Sequence, residues 1–108
     1  MKFDIQSIMQ QAQKMQEEVE RIKKGLENIT MKSDSGGGMV VVEITASGKI
    51  LNISIAPELI KNDDIGMLED LVVAAVNKAQ ENASRVAEEE MKKVRGMLPS
   101  IPGMNMGF

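Results

Sequence analysis

The sequence contains no cysteine, no histidine, no tryptophan and no tyrosine. Without cysteine there is no disulfide framework, no thiolate nucleophile and no thiolate zinc site. Without histidine the chain lacks the commonest general base and transition-metal ligand. Phe3 and Phe108 are its only aromatic residues, which leaves little for stacking on single-stranded bases. No stretch approaches the roughly 18 apolar residues of a membrane span. The opening MKFDIQSIMQQ has no apolar core of the kind a secretory signal needs. Together these absences predict a soluble cytoplasmic protein that is not an enzyme, with no cofactor, metal, membrane or small-molecule substrate.

What remains is ordinary globular material: 108 residues, 43% hydrophobic and 27% charged. That length supports one small core, so self-association is a reasonable source of further burial. The formal net charge is −3, which counts against a protein that coats nucleic acid with a general positive field. The acidity is concentrated in the middle, where Asp34, Glu43, Glu58, Asp63 and Asp64 face only Lys49 and Lys61. Both ends are nearly balanced.

Ile5, Ile8, Ala12, Met15, Val19, Ile22 and Leu26 recur at alternating steps of three and four, a heptad seam. The spacing predicts a helix capped by Asp4 and ending near Lys24, with Gly25 just past its end. Such a helix has about 20 residues and is roughly 30 Å long. Met15 lies in the seam, so the ten methionines need no binding groove to explain them. Beyond it, NITMKSD, MVVVEIT and ILNISI alternate or run apolar with β-branched residues, separated by SGGG and ASGK. They read as three short strands in an antiparallel meander. In the last strand Leu51, Ile53 and Ile55 are expected on one face, with Ile50, Asn52 and Ser54 on the other. Pro57 ends it.

From Ile65 a helical apolar stripe runs through Leu68, Leu71, Val72, Ala75, Val76, Ala79, Ala83, Val86, Val94 and Leu98. Asn62, Asp63 and Asp64 announce its start, and Gly96 and Pro99 its stop. The row Ala75, Ala79, Ala83 and Ala87 gives this helix a low face for close packing. At about 30 residues it is roughly 45 Å long, whereas strands of six or seven residues span only about 20 Å. The helices must therefore pair with each other or project beyond the sheet. The predicted fold is α+β: an N-terminal helix, a three-stranded antiparallel meander and a long C-terminal helix. Residues 1–98 form one domain, and 99–108 a flexible tail.

Gly36, Gly37 and Gly38 lie between two strands, not between a strand and a helix. No Lys-Ser/Thr pair follows them, so they make a hairpin turn with positive φ, with room for a bulge, and no phosphate loop. Asp63, Asp64, Glu69 and Asp70 read as helix-start carboxylates rather than metal ligands. The basic residues carry two readings. Lys14 and Arg21 are seven apart, as are Lys78, Arg85 and Lys92, so each set forms a helical stripe that can meet phosphates. Glu17, Glu81, Glu88 and Glu89 lie four residues before Arg21, Arg85, Lys92 and Lys93, the arrangement of an ion-paired solvated surface. Gln6, Gln10, Gln11, Gln13 and Gln16 add uncharged donors for phosphates or base edges, or simply flank the seam.

The segments IMQQAQKMQEEVERIK, SGGGMVVVEITASGKILNISIAPELI and MLEDLVVAAVNKAQ, with the Pro- and Met-containing tail ending in Phe108, resemble the YbaB/EbfC family of nucleoid-associated proteins. The likeness covers nearly the whole chain in order. It implies a small bacterial homodimer shaped like tweezers, with long helices projecting from a shared β core. It also implies binding to double-stranded DNA in the nucleoid, with chromosome organisation and regulation of gene expression as the roles. No single residue transfers from the family, but a region does: the exposed faces of the first helix and of the later half of the second. Here these supply Lys14, Arg21, Lys23, Lys24, Arg85, Lys92, Lys93 and Arg95 as candidate DNA-binding residues. The alternative is a helical protein-interaction scaffold without direct DNA binding.

Overall fold

The computed structural model describes residues 4–96. Helix α1 spans Ile5–Leu26, strands β1 to β3 span Thr30–Ser35, Val40–Thr45 and Ile50–Ile55, helix α2 spans Pro57–Lys61 and helix α3 spans Ile65–Arg95. The expected α+β order is therefore present, with one short helix added. The tail, and the stop expected at Pro99, lie outside the described residues.

Asp4 caps α1, its carboxylate accepting from Gln6 N at 3.0 Å and from Ser7 Oγ at 3.3 Å. Gly25 does not end this helix. The next residue, Leu26, is buried against α3 and holds the last turn in helical form, so the cap falls on Glu27. The burial of one leucine outweighs the weak helix preference of one glycine.

The strands form an antiparallel sheet in the order β1-β2-β3. Gly36, Gly37 and Gly38 join the first two at φ of 60°, 66° and 93°, and Gly48 turns the second hairpin at 94°. The β1–β2 register runs unbroken from Thr30↔Thr45 to Ser35↔Val40, so the glycine turn carries no bulge. The irregularity lies instead between β2 and β3, where Glu43 opposes Asn52 but Ile44 opposes Ile50, leaving Leu51 as the extra residue. That bulge changes the expected faces of β3. Ile50, not Leu51, joins Ile53 and Ile55 in the row opposite Ile44, Val42 and Val40.

Helix α3 lies across β1 and β2. Its alanines make this possible: Ala75, Ala79 and Ala83 are buried against Val40, Val42 and Ile44. Polar contacts fix the helix along β1. Ser35 Oγ donates to Leu71 O at 2.6 Å, Asn82 Nδ2 donates to Ser33 Oγ at 2.8 Å, and Lys78 Nζ donates to Asp34 O at 3.4 Å. α3 therefore runs antiparallel to β1, and its last turns pass the sheet to meet the end of α1.

Pro57 does end β3, but it also opens α2, where a proline at the first helical positions has its φ already set. The single turn places Leu59 in the core, 1% exposed. Asp63 turns the chain in the left-handed region at φ 57°, and Asp64 caps α3 by accepting from Met67 N at 3.0 Å. Glu69 and Asp70 lie beyond the first turn, so capping at this end falls to Asp64.

The two long helices, α1 and α3, outrun the sheet. α3 has 31 residues and α1 has 22, against strands of six, and the molecule extends 73 × 25 × 16 Å. Along α1 only the later seam residues are covered. Met15, Val19 and Ile22 are half-buried and Leu26 is buried, while Ile5 and Ile8 remain exposed.

Candidate nucleic-acid interface

The eight candidate cations fall on two elements. Lys14, Arg21, Lys23 and Lys24 lie on α1, and Arg85, Lys92, Lys93 and Arg95 lie on the last third of α3; all are exposed. Five of the eight end a helix, Lys23 and Lys24 in the last turn of α1 and Lys92, Lys93 and Arg95 in that of α3. Cations there are favoured by the helix dipole, which explains their placement before any ligand is considered.

The fold brings two of them to one cleft. Where the end of α1 meets the end of α3, Arg21 and Lys93 line a depression with Glu18 and Glu90, over a floor that includes Ile22, Leu26, Ile29 and Val94. A second, shallower depression lies on α1 itself, between Gln13, Gln16, Glu17, Glu20, Arg21 and Lys24. Two of the five glutamines thus share a surface with two of the cations. Lys14, Lys23, Arg85, Lys92 and Arg95 line neither depression.

Ion pairing sorts the cations further. Arg21 pairs with Glu18, Lys93 with Glu90 at 3.1 Å and Arg95 with Glu88 at 3.0 Å. These are not the i,i+4 partners expected from the sequence. Glu17 and Glu89 are passed over for the glutamates one residue later, and Glu88 reaches seven residues on to Arg95 instead of four to Lys92. Arg85 bonds the Asn82 carboxamide. Among the described residues, Lys14, Lys23, Lys24, Arg85 and Lys92 make no ion pair and keep their charge available. Lys78, part of the same sequence stripe as Arg85 and Lys92, is turned to the sheet, 3.8 Å from the Asp34 carboxylate.

The Asn82–Ser33 bond has no local signature in the sequence. It matters because it fixes α3 beside Arg85, and its only sequence trace is a polar residue between Ala79 and Ala83 in the buried stripe. Among the described residues no helix is long and apolar enough to cross a membrane.

Comparison with known proteins adds to this geometry. The model of a family described as the YbaB/EbfC DNA-binding family matches residues 1–98. A nucleoid-associated protein of Ruminiclostridium cellulolyticum is 41% identical over 94% of this chain and 88% of its own length. One from Thermodesulfovibrio yellowstonii is 47% identical over 90% of this chain and 84% of its own. One from Methylocella silvestris is 39% identical, covering 97% and 98%. The crystal structure of an uncharacterized protein from Helicobacter pylori superposes with a TM-score of 0.71 at 22% identity, covering 91% of this chain and all of that one. That likeness carries the fold alone.

Proposed function

We infer the role of this protein from one premise: it belongs to the YbaB/EbfC DNA-binding family. It is a nucleoid-associated protein that binds double-stranded DNA and helps to organise the chromosome. It acts by binding rather than by catalysis, and the partner is duplex DNA rather than a small molecule.

The observation that carries the residue assignment is the clustering of unpaired cations at the meeting ends of two helices that project past the sheet. Lys23, Lys24 and Lys92 sit there with free charge, and Lys14 and Arg85 extend the two stripes. Basic side chains that neutralise phosphates release condensed counterions from the duplex, a mechanism that needs local positive charge and not a positive whole. The acidic middle of the chain lies elsewhere, on β1, β2, α2 and the turn before α3, which reconciles a net charge of −3 with a polyanionic partner.

The protein acts as a homodimer joined along β3. That strand is an edge, it carries Ile50, Leu51, Ile53 and Ile55 at 37–46% exposure, and α3 does not cover it. An apolar edge with unpaired backbone groups is a template for another strand. A second copy pairing there about a two-fold axis gives a closed, isologous contact and one shared sheet, with the helix ends carried outward as two arms.

The exposed Ile5, Ile8 and Met9 on α1 favour a second reading, a helical scaffold for a partner protein. Replacing Lys23, Lys24 and Lys92 by Gln separates the two. Under the DNA reading the folded triple variant loses roughly tenfold or more in duplex affinity at moderate salt. Unchanged affinity removes this patch from the interface, and failure of the parent protein to bind the duplex gives the scaffold reading precedence.

A further inference from the structure

The two cations that the fold gathers into the α1–α3 cleft are ones that a glutamate already holds. Arg21 pairs with Glu18 on α1 and Lys93 with Glu90 on α3, and all four line the same depression. In each pair the carboxylate is the inner member. The glutamate side chains are 29% exposed, while Arg21 is 74% and Lys93 69% exposed. Lys93 Nζ reaches both Glu90 oxygens, each at 3.1 Å.

We propose that Glu18 and Glu90 are affinity-limiting residues of the DNA surface: they occupy Arg21 and Lys93 as internal stand-ins for phosphate and so restrict the number of phosphates the protein engages. This rests on the DNA-binding reading above. A carboxylate one helical turn away is always present at its cation, whereas a phosphate must displace it. Exposed pairs of this kind are individually weak, so displacement is feasible, but it brings little gain. The freed glutamate remains beside the incoming phosphate, where it repels it or recruits a cation from solution. That recruitment offsets the counterion release that would otherwise drive the contact. Arg21 and Lys93 are therefore silent in the salt dependence of the native protein, and the unpaired lysines set it.

The glutamates one residue earlier supply the control. Glu17 and Glu89 lie four residues before the same two cations, are exposed, and make no ion pair among the described residues. Glu18→Gln with Glu90→Gln, and Glu17→Gln with Glu89→Gln, change the net charge equally and leave side-chain volume nearly unchanged.

The test is fluorescence anisotropy of a labelled duplex of about 30 base pairs, titrated with native protein and both double variants across a salt series. Glu18→Gln/Glu90→Gln is expected to steepen the slope of log affinity against log salt by about 1–2 per protomer, with roughly tenfold tighter binding at low salt. Glu17→Gln/Glu89→Gln is expected to bind somewhat tighter with the native slope. Equal slopes in the two variants, both folded by circular dichroism, overturn the proposal while native binding stands. Absence of binding by the native protein at every salt overturns the DNA reading and this proposal with it.

Discussion

Neighbouring residues of one chemical type behave differently here because of which side chain each can reach. Arg21 stands four residues after Glu17 and three after Glu18, and both spacings lie on one helix face. The sequence shows that it can be ion-paired but not by which carboxylate; the structure selects Glu18. The same holds for Lys93 with Glu89 and Glu90. The basic stripes were thus legible in the sequence, whereas the division between occupied and free cations was not. The positive φ of the glycine turn was legible in three glycines between strands, whereas the bulge the turn has room for lies instead between β2 and β3. The turn makes a residue-scale prediction. Gly36 and Gly37 both lie in the left-handed region, but a Cβ on Gly36 would come within 3.1 Å of Leu71 Cδ2, while one on Gly37 meets nothing within 4 Å. Gly37→Ala is expected to cost about 1–2 kcal/mol from backbone strain alone. Gly36→Ala is expected to cost more, because Leu71 must also move; urea denaturation midpoints of the two variants give the comparison.

At the scale of elements, period decided what could be read. The helical periods of α1 and α3 and the three strands appear in the expected order, although the alternation expected in β3 is broken at Leu51 and only the later part of the α1 seam is covered. α2 is not legible, because five residues after a proline are too few to show a helical period. α1 runs two residues past Lys24 because the distant contact of Leu26 overrides the local stop signal of Gly25. The β3 bulge had no local signal at all, since it follows from how two strands meet. The Asn82–Ser33 bond, linking residues 49 apart, was likewise invisible. The alanine row was legible, and its reason is now specific: α3 sits close on β2 because Ala75, Ala79 and Ala83 are small. Ala79→Leu should lift the helix from Val42 and Ile44, destabilising the protein by about 1–3 kcal/mol, whereas a leucine at exposed Ala74 should have little effect. Thermal or urea unfolding of the pair measures it, and equal stability would show that the helix does not rest on this face.

For the whole molecule, the mismatch between long helices and short strands is the feature that sequence and structure share most directly. It leaves two surfaces incomplete in a single chain, the β3 edge and the leading face of α1. If two copies pair along β3, Ile53→Lys should yield a monomer by sedimentation equilibrium while retaining helical circular dichroism, since Ile53 is 39% exposed within one chain. A dimer of unchanged strength would place the contact elsewhere. The same change is expected to weaken duplex binding, because it separates two sets of arm cations that otherwise act together.

The central claim, that unpaired lysines at the ends of α1 and α3 engage duplex phosphates, is tested most directly by the salt dependence of the native protein's affinity for double-stranded DNA. With about six phosphates contacted per dimer, affinity should fall roughly 10³-fold between about 50 and 200 mM salt. Affinity that stays flat across that range, or no binding at its low end, would contradict the account.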